Sequence, residues 1–338
     1  MTEQHRQPDP AAPEPSVSPG PAEPIPAEPI PAVNAACWFL TGPTASGKSA
    51  TAIALAQKID AEIISLDSMA IYREMNIGTA KPVPSERVVA HHLLDIRDCS
   101  EEFSVAQYLE AAHVCVTEIL GRGKIPLFVG GTPMYLKVLL RGMFVGPPAD
   151  WDFRGQVQEQ IDLHGNELIH QQLERVDPLS AHKLHPNDIR RVIRALEVFH
   201  LTGIPISHQQ QQFEDQGASG RRNVFVLSWP RPLLHHRIEQ RVEQMFENGF
   251  VAEVEALVAK HGSLGRTAAQ AVGYQEVLAL LQQESSLDEV IEQVKIRTRR
   301  FARRQETWFR GFEECIWIPQ VMPVDIDDTV EQILEQTD

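Results

Sequence analysis

The stretch that decides the fold is Gly42-Pro43-Thr44-Ala45-Ser46-Gly47-Lys48-Ser49. It fits the P-loop pattern, in which two glycines separated by four residues precede a lysine and a hydroxyl residue. Such glycines let the backbone turn so that its amides point at an anion, and the lysine adds a mobile positive charge. All eight residues are therefore predicted to bind a di- or triphosphate, with Ser49 as a ligand of Mg²⁺.

The segments on both sides of this motif have the composition of an α/β fold. Residues 37–40 predict a short buried strand and 50–58 a helix, and the apolar runs 62–66 and 125–129 predict two more strands around a helix at 101–122. Each strand is a near-continuous apolar run, which is typical of a parallel sheet covered on both faces. The predicted fold class is α/β, a P-loop NTPase-like parallel sheet with flanking helices and an all-helical insertion domain.

Changes in composition divide the chain into five regions. Gln and His become frequent after about residue 150, where helices are predicted at 154–175, 178–184 and 187–201. The core then returns with strands at 223–227 and 315–318 and helices at 233–261, 268–283 and 287–312. The predicted regions are a disordered Pro-rich tail (1–33), the first part of the P-loop core (34–148), the helical insertion (149–220), the second part of the core (221–320) and an acidic C-terminal tail (321–338).

The charge balance at first argues against a nucleic-acid partner. The 338 residues carry 31 Lys and Arg against 46 Asp and Glu, a formal net charge of −15. Residues 1–33 contribute −4 and residues 313–338 contribute −8, so the body between them carries only −3. RNA binding depends on where arginines cluster, so the total charge does not exclude it.

Cysteine usage and hydropathy exclude other classes of protein. The four cysteines include no CxxC pair, which argues against a disulfide framework or a zinc ribbon. Adjacent His91 and His92 point apart and lack a third ligand, so we expect structural histidines. No run of about 18 apolar residues or signal-peptide pattern is present. We expect a cytoplasmic protein without a membrane partner.

The carboxylates near the predicted phosphate site leave the reaction open. The strand 125–129 ends in Gly130-Gly131-Thr132, where a P-loop NTPase usually has a metal-binding Asp. The candidate carboxylates are Asp67, at the end of strand 62–66, and Asp95. Either would suit a kinase, in which it accepts a hydroxyl proton, or transfer of another group away from a pyrophosphate leaving group. A non-catalytic nucleotide switch also remains open.

A series of further motifs resembles, in order and spacing, the bacterial tRNA dimethylallyltransferases. The resemblance covers roughly residues 36–318. It rests on the P-loop and on Ser65-Leu66-Asp67-Ser68-Met69-Ala70-Ile71-Tyr72, Met75-Asn76-Ile77-Gly78-Thr79-Ala80-Lys81-Pro82, His91-His92-Leu93-Leu94-Asp95-Ile96, Gly130-Gly131-Thr132-Pro133-Met134-Tyr135, His185-Pro186-Asn187-Asp188, Arg191, Arg194-Ala195-Leu196-Glu197, Val272-Gly273-Tyr274 and Arg303-Arg304-Gln305-Glu306-Thr307-Trp308.

The resemblance implies transfer of a dimethylallyl group from dimethylallyl diphosphate to the N6 amine of the adenosine 3′-adjacent to the anticodon, in tRNAs that read codons beginning with U. The products would be isopentenyladenosine and diphosphate. The implied architecture is a P-loop core pierced by a channel, with a helical insertion that grips the anticodon stem-loop. The alternatives are an adenylate isopentenyltransferase, which would not need the Arg-bearing insertion, and a P-loop small-molecule kinase. We expect a monomer that uses Mg²⁺.

The predicted catalytic residues follow from this chemistry. Asp67 is placed to remove a proton from the weakly nucleophilic amine, and Thr132 to line the channel where the substrates meet. Lys48 and either Arg241 or Arg237 would stabilise the leaving diphosphate. The alternative for Asp67 is a helix N-cap or an outer ligand of Mg²⁺; for the two arginines, it is a pair of solvated charges beside Glu239 or Glu243.

RNA contacts are expected from three segments. These are the turn after the second strand, which would meet the flipped base, the insertion, and the stretch around Gly273. The predicted tRNA-binding residues are Asp67, Ser68, Met69, Ala70, Thr132, Arg154, Arg190, Arg191, Val192, Ile193, Arg194, Gln270, Ala271, Val272, Gly273, Tyr274 and Gln275. The basic run 295–310 is expected to be partly core, and its remaining charges would face solvent, tRNA or the active site.

Overall fold

Six parallel strands form one sheet in the part of the chain that the structure, a computed structural model, describes: residues 29–209, 223–283 and 285–337. The strands are β1 (Trp38–Thr41), β2 (Ala61–Ser65), β3 (His91–His92), β4 (Ile125–Gly130), β5 (Val224–Ser228) and β6 (Cys315–Pro319). Their order is β3-β2-β4-β1-β5-β6, and every neighbouring pair is parallel. The predicted parallel α/β sheet is thereby confirmed.

Side chains on the strands alternate between two apolar cores, one on each face of the sheet. Phe39 of β1 and Ile64 of β2 belong to one core, whereas Leu40 and Ile63 belong to the other. All four side chains are buried. This two-sided burial is the reason that most residues of the central strands are apolar, since the sheet is covered on both faces.

The described residues divide into two compact units. The core unit comprises residues 30–143, 223–283 and 285–337, and it contains the sheet. Its helices are α1 (Lys48–Lys58), α2 (Val105–Gly121), α3 (Pro133–Arg141), α8 (Arg231–Glu247), α9 (Phe250–His261), α10 (Arg266–Ala269), α11 (Tyr274–Leu281), α12 (Leu287–Phe309) and α13 (Ile326–Glu335). The helical unit comprises residues 144–209 and contains α4 (Trp151–His164), α5 (Asn166–Val176), α6 (Pro178–Lys183) and α7 (Ile189–Thr202).

Two helices predicted as continuous are each broken at a glycine. The predicted helix 154–175 divides into α4 and α5 at Gly165, where φ is +83°. The predicted helix 233–261 divides into α8 and α9 at Gly249, where φ is +91°. A glycine reaches this left-handed region without steric cost, and apolar periodicity continues across the break, so hydrophobic spacing alone does not reveal it. The predicted helix 268–283 likewise divides into α10 and α11.

Of the strands and helices given above, three are absent from the sequence prediction. Strand β3 has only two residues, both histidines, and His92 Nε2 lies 2.7 Å from a Glu62 carboxylate oxygen. Helix α3 begins directly after Thr132 with Pro133, which suits a first helical turn because the missing N–H has no intrahelical partner there. Helix α13 lies in the segment that was predicted to be an acidic tail.

The two chain ends are more ordered than predicted where the structure describes them. Helix α13 is acidic on one face, yet its Val330 and Ile333 are buried in the same apolar core as Leu55 of α1. Residues 1–28 of the predicted Pro-rich tail lie outside the described residues. Within the rest of that tail, Ile30 pairs with Met143 and Val33 is buried. The core unit therefore begins before the predicted boundary at residue 34.

The helical unit has its own apolar core and a buried ion-pair network. Glu197 of α7 is fully buried, and its carboxylate accepts hydrogen bonds from the Arg154 and Arg194 guanidinium groups at 2.7–2.8 Å. The Asp150 backbone N–H donates to the same carboxylate at 2.8 Å. Glu197 therefore fastens the start of α4 to α7.

The replacement Glu197→Ala is expected to destabilise the helical unit by about 2 kcal/mol, because it leaves a backbone donor and two guanidinium groups without their acceptor. The effect is smaller than for a fully buried pair, since both arginine side chains are partly exposed. Urea unfolding followed by circular dichroism would measure it. Glu174→Ala, at an exposed position of α5, is the control; equal stability of the two variants would contradict the assignment.

Candidate active site

The predicted site residues converge because three adjacent strands end at the same edge of the sheet. β4 lies between β1 and β2, and all three run parallel. The P-loop follows β1, Asp67 follows β2, and Gly131 and Thr132 follow β4. The chain passes from β1 to β2 across β4, and such an edge leaves a crevice at the carboxyl ends of the strands. Sheet topology therefore assembles the site.

The P-loop wraps around the start of α1, as the motif predicts. Gly47 is the N-cap residue of α1 with φ at +98°, a left-handed conformation that favours glycine. Lys48 Nζ donates hydrogen bonds to the carbonyl oxygens of Gly42 at 3.0 Å and Pro43 at 2.7 Å. The ammonium group thus lies against the loop, where the helix start adds positive potential for an anion.

Arg237 and Arg241 on α8 both contact the P-loop. Arg237 Nε donates to the Ala45 carbonyl oxygen at 2.9 Å, and Arg241 donates to Thr44 Oγ1 at 3.2 Å. The alternative in which both pair with acids of their own helix is wrong. Those acids bind elsewhere, Glu239 to Arg299 and Glu243 to Lys295. Helix α8 therefore directs two guanidinium groups at the phosphate loop.

One cavity of about 510 Å³ joins these groups. Its wall contains Asp67, residues of the P-loop and both α8 arginines. The predicted site residues that line it are Thr44, Ala45, Ser46, Gly47, Lys48, Ser49, Asp67, Ala70, Arg237 and Arg241. Thr132 adjoins this wall through a hydrogen bond that Ser68 N donates to its Oγ1 at 3.1 Å.

Asp67 both caps a turn and faces the cavity. Its Oδ1 accepts hydrogen bonds from the backbone N–H groups of Met69 at 2.8 Å and Ala70 at 3.3 Å. The alternative in which Asp67 caps a helix is wrong, because residues 68–71 form a turn; Asp67 caps that turn with one oxygen. The other candidate carboxylate, Asp95, is bound to Lys81 and Arg87 instead. Of these two carboxylates, Asp67 is the one that lines the cavity.

The pKa of Lys48 is lowered in this site. Burial of its ammonium group, together with the nearby Arg241 guanidinium, lowers the pKa of Lys48 to about 7, and Asp67 acts in the opposite direction. Burial also lowers the pKa of Arg241, although an arginine keeps its charge. An anion bound in the loop would offset both charges.

Binding of inorganic diphosphate at about pH 8 is expected to take up protons, because the anion raises the lowered pKa of Lys48 and charges an amine that is mostly neutral in the free protein. The affinity should correspondingly fall as the pH rises above about 7. Calorimetry in buffers of different ionisation enthalpy measures the proton count. The variant Lys48→Met should show no uptake, and wild-type protein without uptake would contradict the assignment.

Two residues that lie outside the P-loop motif, and whose roles sequence reasoning missed, form hydrogen bonds with its backbone. Trp229 follows β5, donates its indole N–H to the Ser46 carbonyl oxygen at 2.9 Å, and stacks on the Arg237 guanidinium at 4.5 Å. Gln305 on α12 accepts from Thr44 N at 2.9 Å. A buried glutamine on the same helix face as Ala302 and Phe309 was a usable signal, since polar residues seldom occupy such positions.

The predicted RNA-binding residues of the helical unit fall into two groups. Arg190 and Arg191 are exposed on α7. Val192 and Ile193 are buried in the apolar core of the unit, so their side chains serve packing and not RNA contact. Arg154 and Arg194 are committed to Glu197.

The predicted segment 270–275 is also mixed. Gln270 and Gln275 are exposed, and Gln275 Oε1 accepts from Arg297 at 2.8 Å. Ala271 and Tyr274 are buried, and the Tyr274 hydroxyl donates to Glu253 at 2.7 Å. The Glu253 carboxylate also accepts from the backbone N–H groups of residues 76–78. The side chain of Tyr274 therefore supports a loop whose continuation, residues 79–82, lines the cavity.

The basic run on α12 is largely paired at its beginning and exposed later. Lys295, Arg297 and Arg299 each form an ion pair with an acidic side chain. Arg300, Arg303, Arg304 and Arg310 are exposed. None of the helices in the described ranges combines the length and apolar character needed to cross a membrane.

Comparison with known proteins identifies one family. The family profile described as IPP transferase matches residues 70–312. The tRNA dimethylallyltransferase of Rhodopirellula baltica is 49% identical over 308 residues, which cover 88% of this chain and 92% of that protein. The tRNA dimethylallyltransferase of Carboxydothermus hydrogenoformans is 44% identical over 280 residues, 82% of this chain and 90% of that protein.

Solved structures agree with this result. The full-length tRNA isopentenylpyrophosphate transferase of Bacillus halodurans matches with a TM-score of 0.63 and 36% identity, over 88% of this chain and 97% of that chain. A eukaryotic dimethylallyltransferase acting on tRNA matches with a TM-score of 0.67 and 29% identity, over 84% and 73% of the two chains. The P-loop core and its site thus occur in a chain that belongs to the IPP transferase family.

Proposed function

We propose that this protein transfers a dimethylallyl group from dimethylallyl diphosphate to the N6 amine of the adenosine 3′-adjacent to the anticodon, in tRNAs that read codons beginning with U. Isopentenyladenosine forms and diphosphate leaves. The observation that carries the proposal is a cavity whose lining includes residues of the P-loop, Arg237, Arg241 and the Asp67 carboxylate together. The relatives named tRNA dimethylallyltransferase support the transferred group and the acceptor.

The acceptor side of the reaction belongs to Asp67. The amine nitrogen attacks C1 of the dimethylallyl group, the C1–O bond to diphosphate breaks, and the amine proton passes to the Asp67 carboxylate. An aromatic amine is a weak nucleophile, so a base that accepts its proton as the bond forms lowers the barrier. Backbone bonds to Oδ1 hold the carboxylate in place, and Oδ2 receives no hydrogen bond from the described residues.

The donor side belongs to the P-loop and α8. As the C1–O bond breaks, negative charge develops on the diphosphate. Lys48, Arg241, Arg237 and the N-terminus of α1 are already oriented towards that position by their bonds within the loop. Groups that are fixed before the reaction stabilise developing charge without reorganising, and this effect usually contributes most to the rate enhancement of an enzyme.

Magnesium fits the oxygen ligands of the cavity. Mg²⁺ is commonly held through one or two protein oxygens together with phosphate oxygens and waters. The Ser49 hydroxyl and the Asp67 carboxylate both line the cavity that would hold the diphosphate. Ser49 would be the direct ligand, and the ion would supply charge neutralisation on the diphosphate.

The macromolecular partner in this proposal is the anticodon stem-loop of tRNA. A stacked base must be extruded before its amine reaches a carboxylate inside a cavity. The turn 67–70 and Thr132, which adjoin each other, would receive the base. Exposed Arg190 and Arg191 would contact RNA phosphates. The proposal includes action as a monomer, and a tRNA substrate supports a cytoplasmic location.

The variant Arg191→Gln is expected to raise the KM for tRNA and to reduce the slope of log affinity against log salt by about 0.7–0.9, the value for one lost phosphate contact. Its ion pair with Asp188 is exposed, at 3.5 Å, so little stability is lost. Affinity measured over a salt series provides the slope. Lys58→Gln, an exposed charge at the end of α1, is the matched control; equal slopes for Arg191→Gln and wild type would remove Arg191 from the RNA surface.

A competition experiment tests which acceptor the protein uses. The protein is given labelled dimethylallyl diphosphate, Mg²⁺ and a mixture of unmodified tRNA and AMP. We expect label on tRNA. Label on AMP alone would show an adenylate isopentenyltransferase. Phosphate transfer from γ-labelled ATP to either acceptor, without prenyl transfer, would show a kinase.

A further inference from the structure

Gln305 is a buried side chain that spans the cavity wall between the P-loop and the end of β4. Only 3% of the residue is exposed. Its Oε1 accepts a hydrogen bond from the backbone N–H of Thr44 at 2.9 Å, and its Nε2 donates to the carbonyl oxygen of Gly131 at 2.6 Å. One carboxamide therefore satisfies two backbone groups that lie on different strand ends.

The two backbone groups belong to the donor-binding and acceptor-binding parts of the site. Thr44 lies in the loop that would bind the leaving diphosphate, and its hydroxyl oxygen accepts a hydrogen bond from Arg241. Gly131 precedes Thr132, whose Oγ1 accepts from the backbone N–H of Ser68, the neighbour of Asp67. Gln305 thus links the donor half of the site to the acceptor half.

The fit around this carboxamide is close and chemically specific. A Cβ atom on Gly131 would lie 2.5 Å from Gln305 Nε2, so a side chain there would displace the amide. The amide presents one acceptor and one donor, which match the N–H of Thr44 and the C=O of Gly131. A carboxylate of the same length would keep the first bond and place a negative oxygen against the Gly131 carbonyl.

We propose that Gln305 is a positioning residue for prenyl transfer: it fixes the separation of the P-loop from the Gly131–Thr132 strand end, and thereby the alignment of the diphosphate with the acceptor amine. It acts through Thr44 and Gly131. The proposal rests on the proposed function, because alignment matters only if a donor and an acceptor meet in this cavity. Misplacement of reacting groups by about 1 Å can cost ~100-fold in rate.

The test compares Gln305→Met, which keeps the length and apolar stem, with Gln293→Met at an exposed position of the same helix. In Gln305→Met we expect kcat for tRNA prenylation to fall by ~100-fold, while inorganic diphosphate still binds with the wild-type number of sites per chain. Loss of folded protein would lower that number, so the two readouts separate alignment from folding. Gln293→Met should behave as wild type. A kcat within about threefold of wild type, with full diphosphate binding, would overturn the proposal.

A second measurement covers the case in which Gln305→Met does not fold. In the wild-type protein, the bond to Gln305 predicts that the Thr44 amide is protected from hydrogen exchange, although it lies in a loop. Exchange of that amide at the rate of an unprotected loop would overturn the proposal. Wild-type protein that binds diphosphate and protects Thr44 but prenylates no tRNA would instead refute the proposed function.

Discussion

The variant Asp67→Asn is expected to lower kcat by about two to four powers of ten, the usual contribution of a general base. Asparagine keeps an Oδ1 that can accept from Met69 and Ala70, so the turn should persist. What it loses is the carboxylate that takes the amine proton. Binding of dimethylallyl diphosphate should change little, because the P-loop and α8 hold that end. Steady-state kinetics with tRNA, together with donor affinity by calorimetry, would measure both quantities.

Two comparisons make the Asp67 prediction specific. Asp67→Ala also removes the acceptor for the turn, so it should be at least as inactive as Asp67→Asn and less stable. Asp98→Asn removes an exposed carboxylate that pairs with Arg73, and it should keep wild-type activity. Turnover of Asp67→Asn within a few-fold of wild type would exclude the general-base role and leave Asp67 as a capping residue.

The variant Lys48→Met is expected to lower kcat/KM for the diphosphate donor by about 10²–10³-fold, similar to removal of one fixed donor from an anion-stabilising site. Methionine preserves most of the apolar stem of the side chain. The ammonium group that lies against the carbonyls of Gly42 and Pro43 is lost, and with it one positive charge of the phosphate loop. Both donor affinity and kcat should fall, because ground state and transition state each carry the diphosphate charge.

Lys58→Met, on the last turn of the same helix, is the control and should leave kcat/KM unchanged. If Lys48→Met retained kcat/KM within about threefold, the loop would not bind the leaving group and the position of the donor would have to be reassigned.

The sequence predicted the core of the site because its signals are local. A strand, a glycine-rich turn and a helix start occupy consecutive residues, so the P-loop could be read directly from positions 38–58. Asp67 and Thr132 could be predicted to lie beside the P-loop, because the carboxyl ends of parallel strands lie at one edge of a sheet. The chemistry of a leaving diphosphate predicted Arg241 or Arg237 as its partner, with solvated charges beside Glu239 or Glu243 as the alternative. The bonds of the two arginines to Ala45 and Thr44 decide between these possibilities.

What the sequence could not show depends on tertiary contacts. The sequence does not distinguish an arginine that faces RNA from one that binds a buried carboxylate, as Arg154 and Arg194 do. Val192 and Ile193 lie between arginines in the chain, yet their apolar side chains belong to the core of the helical unit. The acidic composition of 321–338 outweighed the helical spacing of its apolar residues Ile326, Val330, Ile333 and Leu334, which pack in the core. Gln305 is 261 positions from Thr44, and no local pattern connects them.

The most direct test of the account is the product balance of a single turnover. Wild-type protein, dimethylallyl diphosphate, Mg²⁺ and unmodified tRNA would be mixed, and modified nucleoside and released diphosphate would be counted in the same samples. We expect one isopentenyladenosine, located by mass spectrometry 3′ of the anticodon, for each diphosphate released, with neither formed by Asp67→Asn on the same time scale. Diphosphate release without prenylated tRNA, or a dimethylallyl group on another nucleotide, would contradict the account.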